Sequence, residues 1–236
     1  MPDSVPAIML PSSLPHVADV SLITGSEAPD GQLDLLIEIP HGATEPGDYN
    51  ELASQLRSPL PENLEAFYYV NTDVGAPELA VETARLLVAA RPTLRVGIVR
   101  CRIPRTFIDC NRRIDAAPEE FKAGRVTPGL MPWVTDAADR ELLLERYHAY
   151  LAVVQQAVGA LTPHGQTLLL HTYAPRTVDV EVDHDIVTNL RQAYEPGRLE
   201  SFPLRPELDV IARDINGQLH ADPALQKQIE PLLADT

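Results

Sequence analysis

The chain has 236 residues, of which 44% are hydrophobic and 22% charged, a composition that is typical of globular proteins and excludes a largely disordered chain. The formal net charge is -15, and no cluster of Lys and Arg offsets it, so binding to nucleic acid or to an anionic membrane surface is disfavoured. The N-terminal segment lacks the pattern of a signal peptide, and no run reaches the roughly 18 apolar residues of a spanning helix. We therefore expect a cytoplasmic protein.

Apolar runs and helical periodicities predict strands that alternate with helices. In chain order, the predicted elements are a strand over 33–40, a possible strand over 67–70, a helix over 77–90, a strand over 94–99, a helix over 136–161, a strand over 166–170, and helices over 186–194 and 206–216. This alternation indicates a layered α/β fold in a single domain over 1–236. Residues 1–30 are predicted to be a loose lead-in, and residues 114–135 a surface excursion.

Three polar residues stand at the ends of these elements. His41 follows the first strand, Asp73 precedes a helix, and His171 follows the strand over 166–170. In open α/β sheets ligands bind at the carboxyl ends of the strands, and two His with one carboxylate suit a catalytic Zn²⁺ with an open coordination position. A single His after a strand is more often a hydrogen-bonded loop residue, and Glu45 is a rival third ligand.

A second candidate feature is the arginine-rich stretch Arg105–Arg113. Arginines bind carboxylates through two parallel hydrogen bonds, Asn111 can donate to a carboxylate or carbonyl oxygen, and Asp109 can orient one of the arginines. The alternative is a structural cluster of ion pairs on an acidic protein, which composition alone favours.

Two further groups of titratable residues are ambiguous. His148 lies within the long predicted helix, where a His is usually a packing or surface residue. An acidic run consists of Asp179, Glu181, Asp183 and Asp185. Such a run is usually a solvated segment, although one of its members can serve as a general base.

Taken together, several short stretches resemble the N-formylglutamate amidohydrolase family. They are Ile39-Pro40-His41-Gly42, Asn71-Thr72-Asp73, residues 105–112 (RTFIDCNR), Tyr147-His148 with Leu151, and Leu170-His171-Thr172. They occur in the family's order and cover roughly residues 34–175, and RTFIDCNR is the most specific of them.

The resemblance implies a fold like that of the zinc carboxypeptidases, which is a three-layer, phosphorylase/hydrolase-like α/β fold with a mixed, mainly parallel sheet between helices. It implies that His41, Asp73 and His171 bind a divalent metal ion, Zn²⁺ above all. It also implies substrate-binding roles for four residues, which are Arg105, Asn111, Arg112 and His148. The expected reaction is the hydrolysis of a small anionic N-acyl amide, typically N-formyl-L-glutamate.

The family's general base is expected to be a glutamate on a later strand. Residues 221–236 contain no apolar strand that ends in Glu, so we predict Glu181 as the base. Two alternatives remain open: a catalytically weak or inactive small-molecule binding relative on the same fold, and a metallopeptidase of the carboxypeptidase type.

Overall fold

The structure is a computed structural model that describes residues 9–114, 129–178, 180–214, 216–224 and 227. The chain divides into two compact units, Met1–Tyr173 with Glu181–Leu190 and Ala174–Val180 with Arg191–Thr236. The candidate metal ligands, the arginine-rich stretch and Glu181 all belong to the first unit. A single domain over 1–236 stays a prediction.

One four-stranded sheet organises the first unit. Its strands are β1 (Ala18–Thr24), β2 (Leu33–Ile39), β3 (Arg95–Cys101) and β4 (Leu161–Leu169). Their order is β1-β3-β2-β4, with β1 antiparallel to β3 and the other two pairs parallel. The predicted α/β class with a mixed, mainly parallel sheet is therefore confirmed.

Strand β1 lies inside the segment that was predicted to be a loose lead-in. It pairs with β3 along its whole length, from Ala18 opposite Cys101 to Thr24 opposite Arg95. Most of its side chains are exposed or half-buried, because β1 is an edge strand. An edge strand of this kind lacks the apolar run by which buried strands are recognised, which explains why the sequence did not indicate it.

Among the described residues, 223, 224 and 227 are helical, and the structure gives the bounds of five further α-helices and one short 3₁₀ helix. They are α1 (Pro46–Ala53), α2 (Leu64–Asn71), α3 (Ala76–Ala90), α4 (Ala137–Gly159), α5 (Ile186–Ala193) and the 3₁₀ helix Leu199–Ser201. The predicted helices α3, α4 and α5 are confirmed. None of the helices in these described ranges is both long and apolar enough to cross a membrane.

Helices α1 and α2 differ from the prediction. Helix α1 was missed because of its proline, yet Pro46 occupies the first turn, where proline is favoured, and Glu45 and Asp48 form a capping box. The predicted strand over 67–70 is helical instead. Leu64, Phe67 and Tyr68 are its buried residues, and their spacing is that of one helix face.

The predicted helix over 206–216 was wrong, and the predicted surface excursion over 114–135 is contradicted only in its final part, which the structure describes. The described residues within 206–216 contain no helix, and Leu208, Val210 and Ile211 are exposed, whereas a short helix needs to bury an apolar face. Residues 115–128 of the predicted surface excursion lie outside the described residues. Trp133, in its final part, is fully buried, and its Nε1 donates to the carbonyl of Thr106 at 3.1 Å.

Helices cover both faces of the sheet. On one face, Ile37 and Ile39 of β2 pack in a core cluster with three alanines of α3, which are Ala76, Ala80 and Ala84. On the other face, the carboxyl of Glu38 accepts a hydrogen bond from Tyr150 of α4 at 2.9 Å. Because successive side chains of a strand point to opposite faces, α3 and α4 lie on opposite sides of the sheet. The first unit therefore has three layers, as predicted.

Candidate metal centre

The structure brings His41, Asp73 and His171 together at one point. One ligand atom from each residue lies within 4.8 Å of the others. Oδ2 of Asp73 is 2.8 Å from Nδ1 of His171 and 3.5 Å from Nδ1 of His41. A tetrahedral ion with bonds of 2.0–2.2 Å separates its ligands by about 3.3–3.6 Å. The buried group can therefore hold a metal ion with small movements of the three side chains.

Sheet topology explains the convergence. His41 follows β2, and His171 follows β4, the parallel neighbour of β2, so both lie at the same edge of the sheet. The backbone N–H of Leu170 donates to the carbonyl of Glu38 at 2.8 Å, which extends the ladder to the residue before His171. Asp73 enters from the segment before α3, and its N–H points to the carbonyl of His41 at 3.4 Å.

Glu45, the rival third ligand, lies elsewhere. It caps α1, its side chain is 55% exposed, and its Oε1 is 3.6 Å from Nη2 of Arg100. Among the described residues, the group that can hold an ion contains Asp73 and not Glu45. The loop between β2 and α1 turns Glu45 toward the helix that it caps.

Side chains of helix α2, its C-cap and strand β3 hold the loop after His41. Tyr68 and Thr72 donate to the carbonyl of Ala43 at 2.9 and 2.6 Å, and Nε of Arg100 donates to the carbonyl of Gly42 at 2.7 Å. A Cβ at Gly42 would lie 2.6 Å from Cγ of Arg100, so this close approach requires glycine. These contacts fix the backbone that carries His41.

Asp109 orients the imidazole of His41. Its Oδ1 lies 2.8 Å from Nε2 of His41 and also accepts the N–H of Asn111 at 2.9 Å. The carboxylate is fully buried. With Nε2 bound to Asp109, Nδ1 of His41 is directed toward Asp73. Ligand histidines in metal sites are commonly fixed by a carboxylate in this way.

The electrostatics of the group favour a cation. Burial lowers the pKa of His41, but hydrogen bonds to Asp109 and Asp73 outweigh burial and leave that pKa raised. Burial raises the pKa of Asp73, but hydrogen bonds from His171 and His41 outweigh it and leave that pKa lowered. In the same way, the contact with His41 overcomes burial and lowers the pKa of Asp109 to about 2. Two ionised carboxylates thus flank His41, where a positive charge is stabilised.

Two arginines of the stretch Arg105–Arg113 lie against the same carboxylate. Nη2 of Arg105 is 3.2 Å and Nε of Arg112 is 3.8 Å from Oδ2 of Asp109, and Nη1 of Arg105 is 3.4 Å from Nδ1 of His41. The side chains of Arg105 and Arg112 are 25% and 39% exposed. Arg105 therefore stands beside the candidate ligand His41 and Arg112 beside Asp109, and both side chains are partly exposed to solvent. Asn111 is exposed and contributes its backbone N–H to Asp109.

The structure does not place the other two predicted site residues in the metal-binding group. His148 is exposed on α4, with its ring 5.3 Å from that of Tyr147. Glu181 is exposed in the segment before α5, and Asp179 lies outside the described residues. The substrate-binding role of His148 and the role of Glu181 as general base stay predictions.

Sequence reasoning missed two parts of this site. Asp109 was expected to orient an arginine, and its hydrogen bond to His41 was not foreseen, because 68 residues separate the two. Glu38, which is buried and accepts a hydrogen bond from Tyr150, was not singled out. The sequence did contain a signal for Glu38, because it is an acidic residue inside the apolar run of residues 33–40. Burying a carboxylate costs free energy, so such a residue is expected to have a specific role.

Comparison of the chain with protein-family models, curated proteins and solved structures found no match.

Proposed function

We propose that this chain is a metal-dependent amidohydrolase that cleaves the N-acyl amide of an acidic amino acid, such as N-formyl-L-glutamate, with Zn²⁺ as its resident ion. The observation that carries the proposal is the meeting of His41, Asp73 and His171 at one point, with two arginines on the carboxylate of Asp109, which holds His41. The resemblance of the sequence to the N-formylglutamate amidohydrolase family supports the same activity.

The donor set favours zinc over the common hard cations. Two imidazole nitrogens and one carboxylate oxygen suit Zn²⁺, whereas Ca²⁺ and Mg²⁺ prefer oxygen ligands alone. Three protein ligands would leave a coordination position free for substrate or water. A bound ion of this kind polarises the amide carbonyl and lowers the pKa of a water ligand. In this arrangement Asp109 keeps the imidazole of His41 in the orientation that presents Nδ1.

Arg105 and Arg112 would bind the carboxylates of the substrate. The two guanidinium groups share one carboxylate, that of Asp109, so positive charge remains available to an anion. Guanidinium groups bind carboxylates with two parallel hydrogen bonds, which fix orientation as well as position. An amide held in this way would lie with its acyl carbon toward the three candidate ligands.

Glu181 is our proposed proton acceptor. Water attack on an amide needs a group that takes a proton from water and gives one to the leaving amine, and a positioned base contributes about 10²–10⁴-fold in rate. We expect Glu181→Gln to lower kcat by a factor within that range and to leave zinc affinity unchanged. Asp185→Asn, an exposed carboxylate of the same segment, is the matched control and should retain activity.

The activity is tested by measuring formate release from N-formyl-L-glutamate with the zinc-loaded chain and with the chelated chain. We expect release that depends on zinc and a much weaker reaction with N-formyl-L-leucine, which lacks the second carboxylate. Cleavage of an acidic dipeptide in place of the formyl amide would identify a metallopeptidase. Zinc and substrate binding without turnover of either substrate would identify a non-catalytic binding protein and contradict the proposal.

A further inference from the structure

Glu38 stands out among the buried carboxylates of the described residues. Asp48 pairs with Arg102, Asp109 with His41 and two arginines, and Asp139 accepts backbone N–H groups. For Glu38, by contrast, the described residues provide a single side-chain hydrogen bond, from the Tyr150 hydroxyl. Burial raises the pKa of this carboxyl. A buried carboxylate with one neutral partner destabilises a fold, so another partner is expected for it.

The register of the sheet brings Glu38 close in position to His171 along the neighbouring strand. Glu38 of β2 is the partner of Leu169 in β4, and their side chains point to the same face. Leu170 packs against the core cluster of α3 on the opposite face. The alternation therefore returns the side chain of His171 to the face of Glu38. His171 lies two residues beyond Leu169, the cross-strand partner of Glu38, and side chains in this diagonal relation can interact. Burial raises the pKa of Glu38, and the hydrogen bond from Tyr150 and the nearby imidazole of His171 act in the opposite direction.

Within the described residues, one of the two ring nitrogens of His171 takes part in a hydrogen bond. Nδ1 faces Oδ2 of Asp73 at 2.8 Å, whereas Nε2 takes part in none of the hydrogen bonds between described residues. A metal ion at Nδ1 fixes the proton on Nε2, and that N–H then needs an acceptor. At the other candidate ligand histidine, His41, Asp109 is this acceptor.

We propose that Glu38 is the positioning residue of His171: its carboxylate accepts the Nε2–H and so orients Nδ1 toward the ion. Tyr150 holds the other side of the carboxylate by donating to Oε1. Each of the two ligand histidines then has its own buried carboxylate, one from β2 and one from the stretch Arg105–Arg113. The inference rests on the metal site of the proposed function but not on amide hydrolysis.

The test is the zinc affinity of the full chain, measured in competition with a chromogenic chelator. We expect Glu38→Gln to weaken zinc binding by about 10- to 100-fold, the usual effect of losing a carboxylate behind a ligand histidine. Tyr150→Phe should also weaken zinc binding, by a smaller factor. Asp139→Asn, which removes a buried carboxylate that binds Arg57 and Ser58, is the matched control and should leave zinc affinity unchanged.

A second readout separates positioning from a general effect on the fold. In ¹⁵N-labelled zinc-loaded protein, the Nε2–H resonance of His171 should shift in Glu38→Gln, while that of His41 should stay in place. Wild-type zinc affinity in a folded Glu38→Gln protein, or an unmoved His171 resonance, would overturn the inference. A wild-type chain that binds zinc without releasing formate contradicts the hydrolase proposal alone, whereas a chain that binds no zinc removes both.

Discussion

Asp109 connects the two functional parts of the candidate site at the scale of single residues. One of its oxygens binds Nε2 of His41, and the other faces Arg105 and Arg112. The same carboxylate therefore orients a candidate metal ligand and positions two candidate anion-binding groups. This double role accounts for an ionised carboxylate in a fully buried position.

Asp109→Asn should lower zinc affinity by about 10- to 100-fold, because a neutral amide orients the imidazole of His41 less strongly than a carboxylate does. The measurement is zinc competition against a chelator, with Asp139→Asn as a folded control that loses a carboxylate elsewhere. An Asp109→Asn protein that binds zinc as tightly as the wild type would show that His41 needs no such partner.

Arg112→Ala should raise KM for N-formyl-L-glutamate by at least about tenfold and change KM for an uncharged formyl amide little, since a charge-assisted hydrogen bond contributes about 1.5–3 kcal/mol. Steady-state kinetics on both substrates measure the difference. Arg85→Ala, which removes an exposed arginine from α3, is the control. Equal increases for the two substrates would contradict a role in carboxylate recognition.

At the scale of elements, Asp139 near the start of α4 ties the helix to the loop after α1. Its carboxylate accepts the N–H groups of Arg57 and Ser58 and the hydroxyl of Ser58, at 2.6–3.0 Å. Burial raises the pKa of Asp139, but the hydrogen bond from Ser58 and those from the two N–H groups outweigh burial and leave it lowered. The carboxylate is therefore stabilised in its ionised form by the fold.

Asp139→Asn should destabilise the protein by about 1–3 kcal/mol, because buried N–H groups lose a charged acceptor. Since the folded pKa is below the ordinary value of 3.8, the stabilisation from Asp139 is complete above that value and is lost as pH falls through the folded pKa. Urea unfolding at pH 7 and at pH 3 measures this. The difference in the free energy of unfolding between wild type and Asp139→Asn should be smaller at pH 3 than at pH 7. A larger difference at pH 3 would contradict the role of the ionised carboxylate.

The main elements could be predicted from the sequence where burial leaves a strong pattern. Strands β2 and β3 and helices α3 and α4 show such a pattern. Strand β4 was indicated by the apolar run over 166–170 although its side chains are half-buried or exposed, and edge strand β1 was missed. The end positions of His41 and His171 followed from the strands. Their partners did not, because hydrogen bonds such as that between Glu38 and Tyr150 join residues 112 apart in sequence. Only the folded sheet brings such pairs together.

At the scale of the whole molecule, ligand binding and folding are linked. Zinc that binds the native chain alone stabilises it by about 2.7 kcal/mol when its free concentration is 100 times Kd. For a chain of this size that corresponds to a rise in Tm of roughly 5–10 °C. Differential scanning fluorimetry with and without zinc measures the rise. His171→Ala should abolish it, and a rise of equal size in that variant would place the stabilising zinc elsewhere.

The most direct test of the metal site is a crystal structure of the zinc-loaded protein with anomalous data collected at the zinc absorption edge. One strong peak is expected within about 2.0–2.2 Å of Nδ1 of His41, a carboxylate oxygen of Asp73 and Nδ1 of His171. A zinc ion bound in stoichiometric amount at any other position, or the three side chains free of metal in a protein saturated with zinc, would contradict the account.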